Sequence, residues 1–161
     1  MHDIARMAGF YAAHGVWSVS DGEALIPMLG YVQADGKQSM ERLVGDDAVG
    51  LGQEAFKAGR DEWVRAVLVV DAYLHLDTGR IDALIVDAAD YGPEPRSVKM
   101  AVPYRPGTAS EGFAVYRPKF VEVAGVDEPD YAALADAFFA GVDSHKRAAP
   151  VWNAHLVDES V

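Results

Sequence analysis

The chain has 161 residues, half of them hydrophobic, with no cysteine and a formal net charge of −11. Length and apolar fraction predict one domain, residues 1–161, with enough chain to bury a core, and exclude a disordered polymer. The missing cysteines exclude disulfides, thiol nucleophiles and thiolate metal sites and fit a cytoplasmic compartment, while the acidity repels a phosphate backbone and argues against nucleic acid as a partner.

Residues 2–16 read as a helix, with Ile4, Met7, Ala8, Tyr11 and Ala12 at helical spacing, Phe10, His14 and Trp17 as an adjoining aromatic stripe, and Gly15 as its stop. Charges inside this stretch rule out a leader peptide, and no later run approaches the roughly 18 apolar residues of a membrane span. Ser18 to Glu23 is a polar loop. Leu25 to Gln33 and Gln38 to Val44 are strands around Asp35-Gly36, a strong hairpin signal. Asp46-Asp47 then opens a helix from Ala48 to Gly59, with Leu51, Ala55 and Phe56 inward.

The organising element is Val64 to Tyr91. Five Val or Leu residues fill its first seven positions, which favours strand, and Thr78-Gly79 supplies the turn. With Asp77 opposite Arg80, Leu76 faces Ile81, Leu74 faces Ala83, Ala72 faces Ile85 and Val70 faces Asp87. That face is almost wholly apolar and is expected to lie under the helices. The other face carries Asp71, Tyr73 and His75 against Val86, Leu84 and Asp82.

Gly92 to Pro95 turns the chain into a strand, Ser97 to Tyr104, and a loop leads to a last strand, Phe113 to Val123. Pro103 and Pro118 place this pair at an edge or at bulges. A helix opens at Asp127-Glu128-Pro129 with Tyr131, Leu134, Ala135, Phe138 and Val142 on its apolar face. The tail, residues 146–161, carries Trp152 and His155 and is expected to dock on its own domain or on a partner subunit. The fold class is therefore α+β: an antiparallel sheet of about six strands in the order α-ββ-α-ββββ-α, with helices packed on one face.

Six residues are candidates for chemistry. His75 opposite Asp82 forms a carboxylate-oriented imidazole, the pairing that a general base needs, although a polar cross-strand pair on a wet face accounts for it more simply. Asp87, alone on the apolar face with Tyr91 on the same side, is a carboxylate that burial would turn into a proton-transfer group, unless water or a cation reaches it. His14, beside Asp21 and Glu23, and His155 read first as boundary histidines. No histidine spacing supports a metal site, and no motif implies a cofactor.

The segment from Arg96 to Lys119 holds five cations against Glu111, net +4, which leaves −15 for the remainder. Arg105, Arg117 and Lys119 alternate with Tyr104 and Tyr116. Such a surface binds an anionic ligand, or docks on acidic groups of the same protein, within the chain or between subunits; the second reading is favoured.

Two functions follow. The first is a non-catalytic domain that binds a protein or small ligand and works as a homo-oligomer. The second comes from a resemblance: the order helix, hairpin, helix and long meander resembles the ketosteroid-isomerase-like cone fold. That resemblance implies an apolar pocket doing acid–base chemistry on a small apolar substrate, with Asp87 as the inward acid and Tyr91 nearby.

Overall fold

The computed structural model describes residues 1–60 and 62–161, and its elements run α1 (His2–Val19), β1 (Met28–Gln33), β2 (Gln38–Arg42), α2 (Ala48–Ala58), β3 (Trp63–Leu76), β4 (Gly79–Asp90), β5 (Arg96–Arg105), β6 (Ala114–Val115), β7 (Lys119–Ala124), α3 (Tyr131–Ser144) and α4 (Ala148–His155). The strands form one antiparallel sheet in the order β2-β1-β3-β4-β5, with β6 and β7 sharing the outer edge of β5. The fold is α+β with the helices segregated from the sheet, as the element order predicts.

α1 is the middle layer. One side packs on β3, β4 and β5 and the other on α3 and α4, so apolar residues at helical spacing and the intervening ones are buried together. Small residues make this possible. A side chain on Gly9 would overlap the Phe138 carbonyl of α3, and one on Gly141 would overlap the Arg6 carbonyl of α1. Gly15 is not the helix stop. It lies against Leu84 and Val69, and the helix runs on to Val19, because close contact with the sheet outweighs the roughly 1 kcal/mol propensity cost of an interior glycine.

The central hairpin is confirmed, and its register differs from expectation by a shift of the turn. Leu76 pairs with Gly79, Leu74 with Ile81, Ala72 with Ala83, Val70 with Ile85 and Leu68 with Asp87. The turn is Asp77-Thr78. No described residue other than glycine has a positive φ, and Gly79, at φ +126°, takes the position after the turn where a side chain would be strained. Residues keep their predicted faces, but every cross-strand partner moves by two.

The covered face is the other one. Val67, Val69, Leu84, Val86 and Ala88 meet α1 in the main core, on the face that also carries Asp71, Tyr73 and Asp82. In the half of the hairpin nearest Trp63 both faces carry buried apolar residues, with the Arg65–Asp90 pair at the end of this face and Asp87 on the other, while Asp71, Tyr73 and Asp82 lie in the half beyond. The opposite face is covered at one end only. There α2 packs Ala55 and Phe56 onto Leu29, Ala66, Leu68 and Val70. Ala48 and Gly52, not Leu51, are the buried α2 residues; Leu51 is 56% exposed, and the Leu43 and Leu68 side chains press against the helix at Gly52.

The last predicted strand is split. β5 turns the backbone of Pro103 outward, where it accepts from Tyr116 N–H but has no N–H of its own to give. The interruption at Tyr116-Arg117-Pro118 lies there, between β6 and β7. α3 begins at Tyr131, beyond the expected Asp127-Glu128-Pro129 opening, because the Asp130 carboxylate caps it by accepting from Ala133 N–H at 3.0 Å. After α4 the tail runs parallel to β6 through a Val115–Leu156 bridge, so it docks on its own chain. Trp152 is a core residue against Phe138.

Candidate functional site

The distal half of the hairpin, from Asp71 to Asp82, reaches past β1 on one side, while on the other β5 accompanies β4 as far as Asp82. β1 begins at Met28, opposite Val69, and among the described residues no strand pairs with β3 beyond that point. Asp71 to Leu76 is thus an edge of six residues inside a strand that is central elsewhere. Its outward groups follow from the ladder. Tyr91 N–H donates to the Val64 carbonyl at 3.0 Å, and the register is unbroken from Arg65 to Leu76. The even-numbered residues of β3 therefore turn their N–H and C=O toward β4, and Asp71, Tyr73 and His75 turn theirs to the open side.

One side of this half is polar. The Tyr104 hydroxyl donates to Asp71, 2.8 and 2.9 Å from the two carboxylate oxygens. Burial raises the Asp71 carboxyl above the usual carboxylate range; the Tyr104 bond works against that rise and the nearby Asp82 adds to it. Burial, then the hydrogen bond to Asp71 and its charge, push the Tyr104 hydroxyl upward as well, so it is a fixed donor. Tyr73 is 53% exposed, and the Arg80 guanidinium stacks on its ring at 4.1 Å. The other side is apolar: Leu74, Leu76 and Ile81 are partly exposed and belong to neither core cluster.

The predicted His75–Asp82 pair does not form. Asp82 lies opposite Tyr73, and His75 lies opposite Arg80 with its side chain exposed, because the turn sits one residue earlier than expected. Asp87 is not alone. It faces away from α1, and Lys99 Nζ lies 3.5 Å from its carboxylate. Burial still raises its carboxyl, opposed by Lys99 and reinforced by Glu122. Burial pushes Tyr91 up to about 12, and its hydroxyl donates to the Phe56 carbonyl at the end of α2.

His14 meets a histidine rather than Asp21 or Glu23. Its Nδ1 lies 2.9 Å from Nε2 of His145, the residue that follows α3 in the turn to α4. Ala148 N–H donates to Nδ1 of His145, so His145 carries its proton on Nε2 and donates to His14. His14 then holds its own proton on Nε2, which is buried with no partner in the described structure. Burial lowers both rings, and the His145 charge lowers His14 further. The pair ties α1 to the α3–α4 corner beside Phe10 and Trp17.

The basic segment finds its acids within the chain. Arg96 pairs with Asp90, Lys99 with Asp87, and Arg117 with Asp158 in the tail. Arg105 donates to the carbonyls of Gly112 and Glu111, and Lys119 reaches Ser160. Tyr116 lines an open cleft of about 370 Å³ with Leu76, Ile81, Tyr104 and Val161. His155 is exposed against Phe113.

Sequence reasoning placed Asp71, Tyr104 and Asp82 separately and did not join them. Register alone joins them, since odd residues of β3 and even residues of β4 and β5 share one face. His145 carries no signal in the sequence, because only the α1–α3 crossing brings it to His14. Among the described residues no group of three or more His, Asp or Glu side chains converges as a metal site requires, and no helix is long and apolar enough to cross a membrane. Comparison with protein-family models, curated proteins and solved structures finds no match.

Proposed function

We propose that the chain is a non-catalytic binding domain that works as an assembly of copies of itself, held through the distal half of the central hairpin. One observation carries this reading: among the described residues no strand pairs with the edge Asp71–Leu76, and it is flanked by the partly exposed Leu74, Leu76 and Ile81. Edges in monomeric proteins are blunted by proline, lysine, bulges or short length. β2 is short and polar, and β7 carries Lys119, Glu122 and a register shift. The distal part of β3 has none of these features, and an uncovered apolar patch beside such an edge marks an interaction surface.

The acid–base alternative rests on Asp87 and Tyr91 in an enclosed pocket. Asp87 is held by Lys99, Tyr91 is held by the Phe56 carbonyl, and among the described residues the surface depressions are open clefts. Sedimentation velocity across the micromolar range tests self-association. A concentration-dependent dimer is expected, and a monomer at every concentration overturns the reading.

A further inference from the structure

Given that self-association reading, on which this inference rests, we propose that two copies join antiparallel, edge to edge, along Asp71–His75 about a two-fold axis through Tyr73. The two sheets then become one.

Geometry restricts the registers to a few. Residues facing each other across an antiparallel pair share a face, and the outward-turned groups of Asp71, Tyr73 and His75 must meet outward-turned groups of the second copy. The edge therefore pairs odd residues with odd residues. If Ala72 faces its own copy, His75 falls opposite Val69, whose edge is already taken by Met28 of β1. If Leu74 faces its own copy, Asp71 falls opposite Asp77, like charges in direct register. If Tyr73 faces its own copy, Asp71 to His75 meet only one another, and the first residue to come opposite Val69 is Asp77, which has already left the strand for the turn.

Complementarity selects the same register. Asp71 falls opposite His75 of the other copy, twice by symmetry, and Ala72 falls opposite Leu74. His75 faces Arg80 across its own hairpin, and the Asp71 carboxylate, held by the Tyr104 hydroxyl and the Ala72 backbone, has no cation beside it among the described residues. Each gains the partner it lacks. The exposed Tyr73 rings meet at the axis, where aromatic cross-strand pairs are favourable. On the other side, Leu74 and Leu76 extend one apolar surface across both copies.

The chain has no cysteine, so single cysteines read the register directly. In the Tyr73→Cys variant the two Cα atoms stand about 5.5 Å apart, inside the range a disulfide spans. In Ala72→Cys and Leu74→Cys the equivalent atoms are diagonal, roughly 7–8 Å apart. Under mild oxidation Tyr73→Cys is expected to become mainly a covalent dimer and the other two to remain mainly reducible to monomer without cross-link. Tyr73→Pro removes an N–H that β4 does not use. It is expected to leave circular dichroism unchanged and to weaken the dimer about tenfold or more. His75→Asp weakens association, and His75→Lys retains it.

Cross-linking at position 72 or 74 instead overturns the register while leaving self-association standing. A dimer that links at none of the three positions and ignores Tyr73→Pro overturns the edge proposal alone. A wild-type chain that stays monomeric overturns both.

Discussion

Removing one oxygen atom, by Tyr104→Phe, probes the polar side of the distal hairpin. The ring is 4% exposed and its packing is preserved, so the change isolates the hydroxyl that holds Asp71. A hydrogen bond to a charged group contributes about 1.5–3 kcal/mol. Asp71 is partly exposed, and water replaces part of what is lost, so the expected cost at neutral pH is about 1–2 kcal/mol. Urea unfolding measures it, with an unchanged m-value as the sign that the compactness of both states is intact. The pH dependence has a definite sign. The Asp71 carboxyl is raised in the folded state, so the fold takes up that proton more readily than the unfolded chain as pH falls. The Tyr104 bond favours the charged form, and without it the carboxyl rises further. The deficit of the variant is therefore largest above the folded Asp71 pKa and shrinks as pH falls through it. A cost under about 0.5 kcal/mol, the range of an ordinary surface change, refutes the reasoning. So does a deficit that is the same at every pH, or a double-mutant cycle with Asp71→Asn that shows no coupling.

Gly9→Ala is expected to destabilise by about 2 kcal/mol or more despite the helix-propensity gain, because the new methyl overlaps the backbone of α3; thermal unfolding measures it. The His14–His145 pair is lowered in the folded state, so its contribution is present above the unfolded histidine pKa of about 6.5 and is lost as pH falls below it, with a slope of at most about 1.4 kcal/mol per pH unit for each ring. Chemical denaturation between neutral and mildly acidic pH should show that slope, and His145→Gln should flatten it. Lys99→Met should move the Asp87 titration midpoint upward and Glu122→Gln should move it downward, both read by carboxyl-carbon NMR. Arg117→Ala should change stability by less than about 0.5 kcal/mol, because its pair with Asp158 is exposed.

Local chemistry made most of the fold legible. β-branched density marks β3, Asp35-Gly36 marks the β1–β2 turn, and the prolines mark where the strand beside β5 breaks. Parity also survived, since moving the turn by one residue shifts the pairing by two and leaves each side chain on its face. The covered face was misassigned because the hairpin is amphipathic only in its distal half. Near Trp63 both faces bury apolar residues, and which one α1 occupies depends on glycines at helix crossings far away in the chain. The candidate site was legible in fragments for the same reason. A cross-strand partner such as Asp82 depends on one turn residue, whereas Asp71–Tyr104 and His14–His145 depend on tertiary placement that no local spacing encodes.

The sandwiching of α1 has a consequence for how the molecule forms. Its inner contacts are made with strands from the middle of the chain and its outer contacts with helices from the opposite end. Closure between distant segments is entropically slow, so the layer that seals the sheet is completed late. During synthesis the hairpin and α1 emerge with Gly15, Val69 and Leu84 ready to pack, while Gly9 and the α3-facing side of α1 wait for Phe138 and Gly141. The nascent chain therefore passes through a stage in which one side of its first helix is greasy and wet, and the pace at which the last helices arrive governs how long that surface can be seized by other chains.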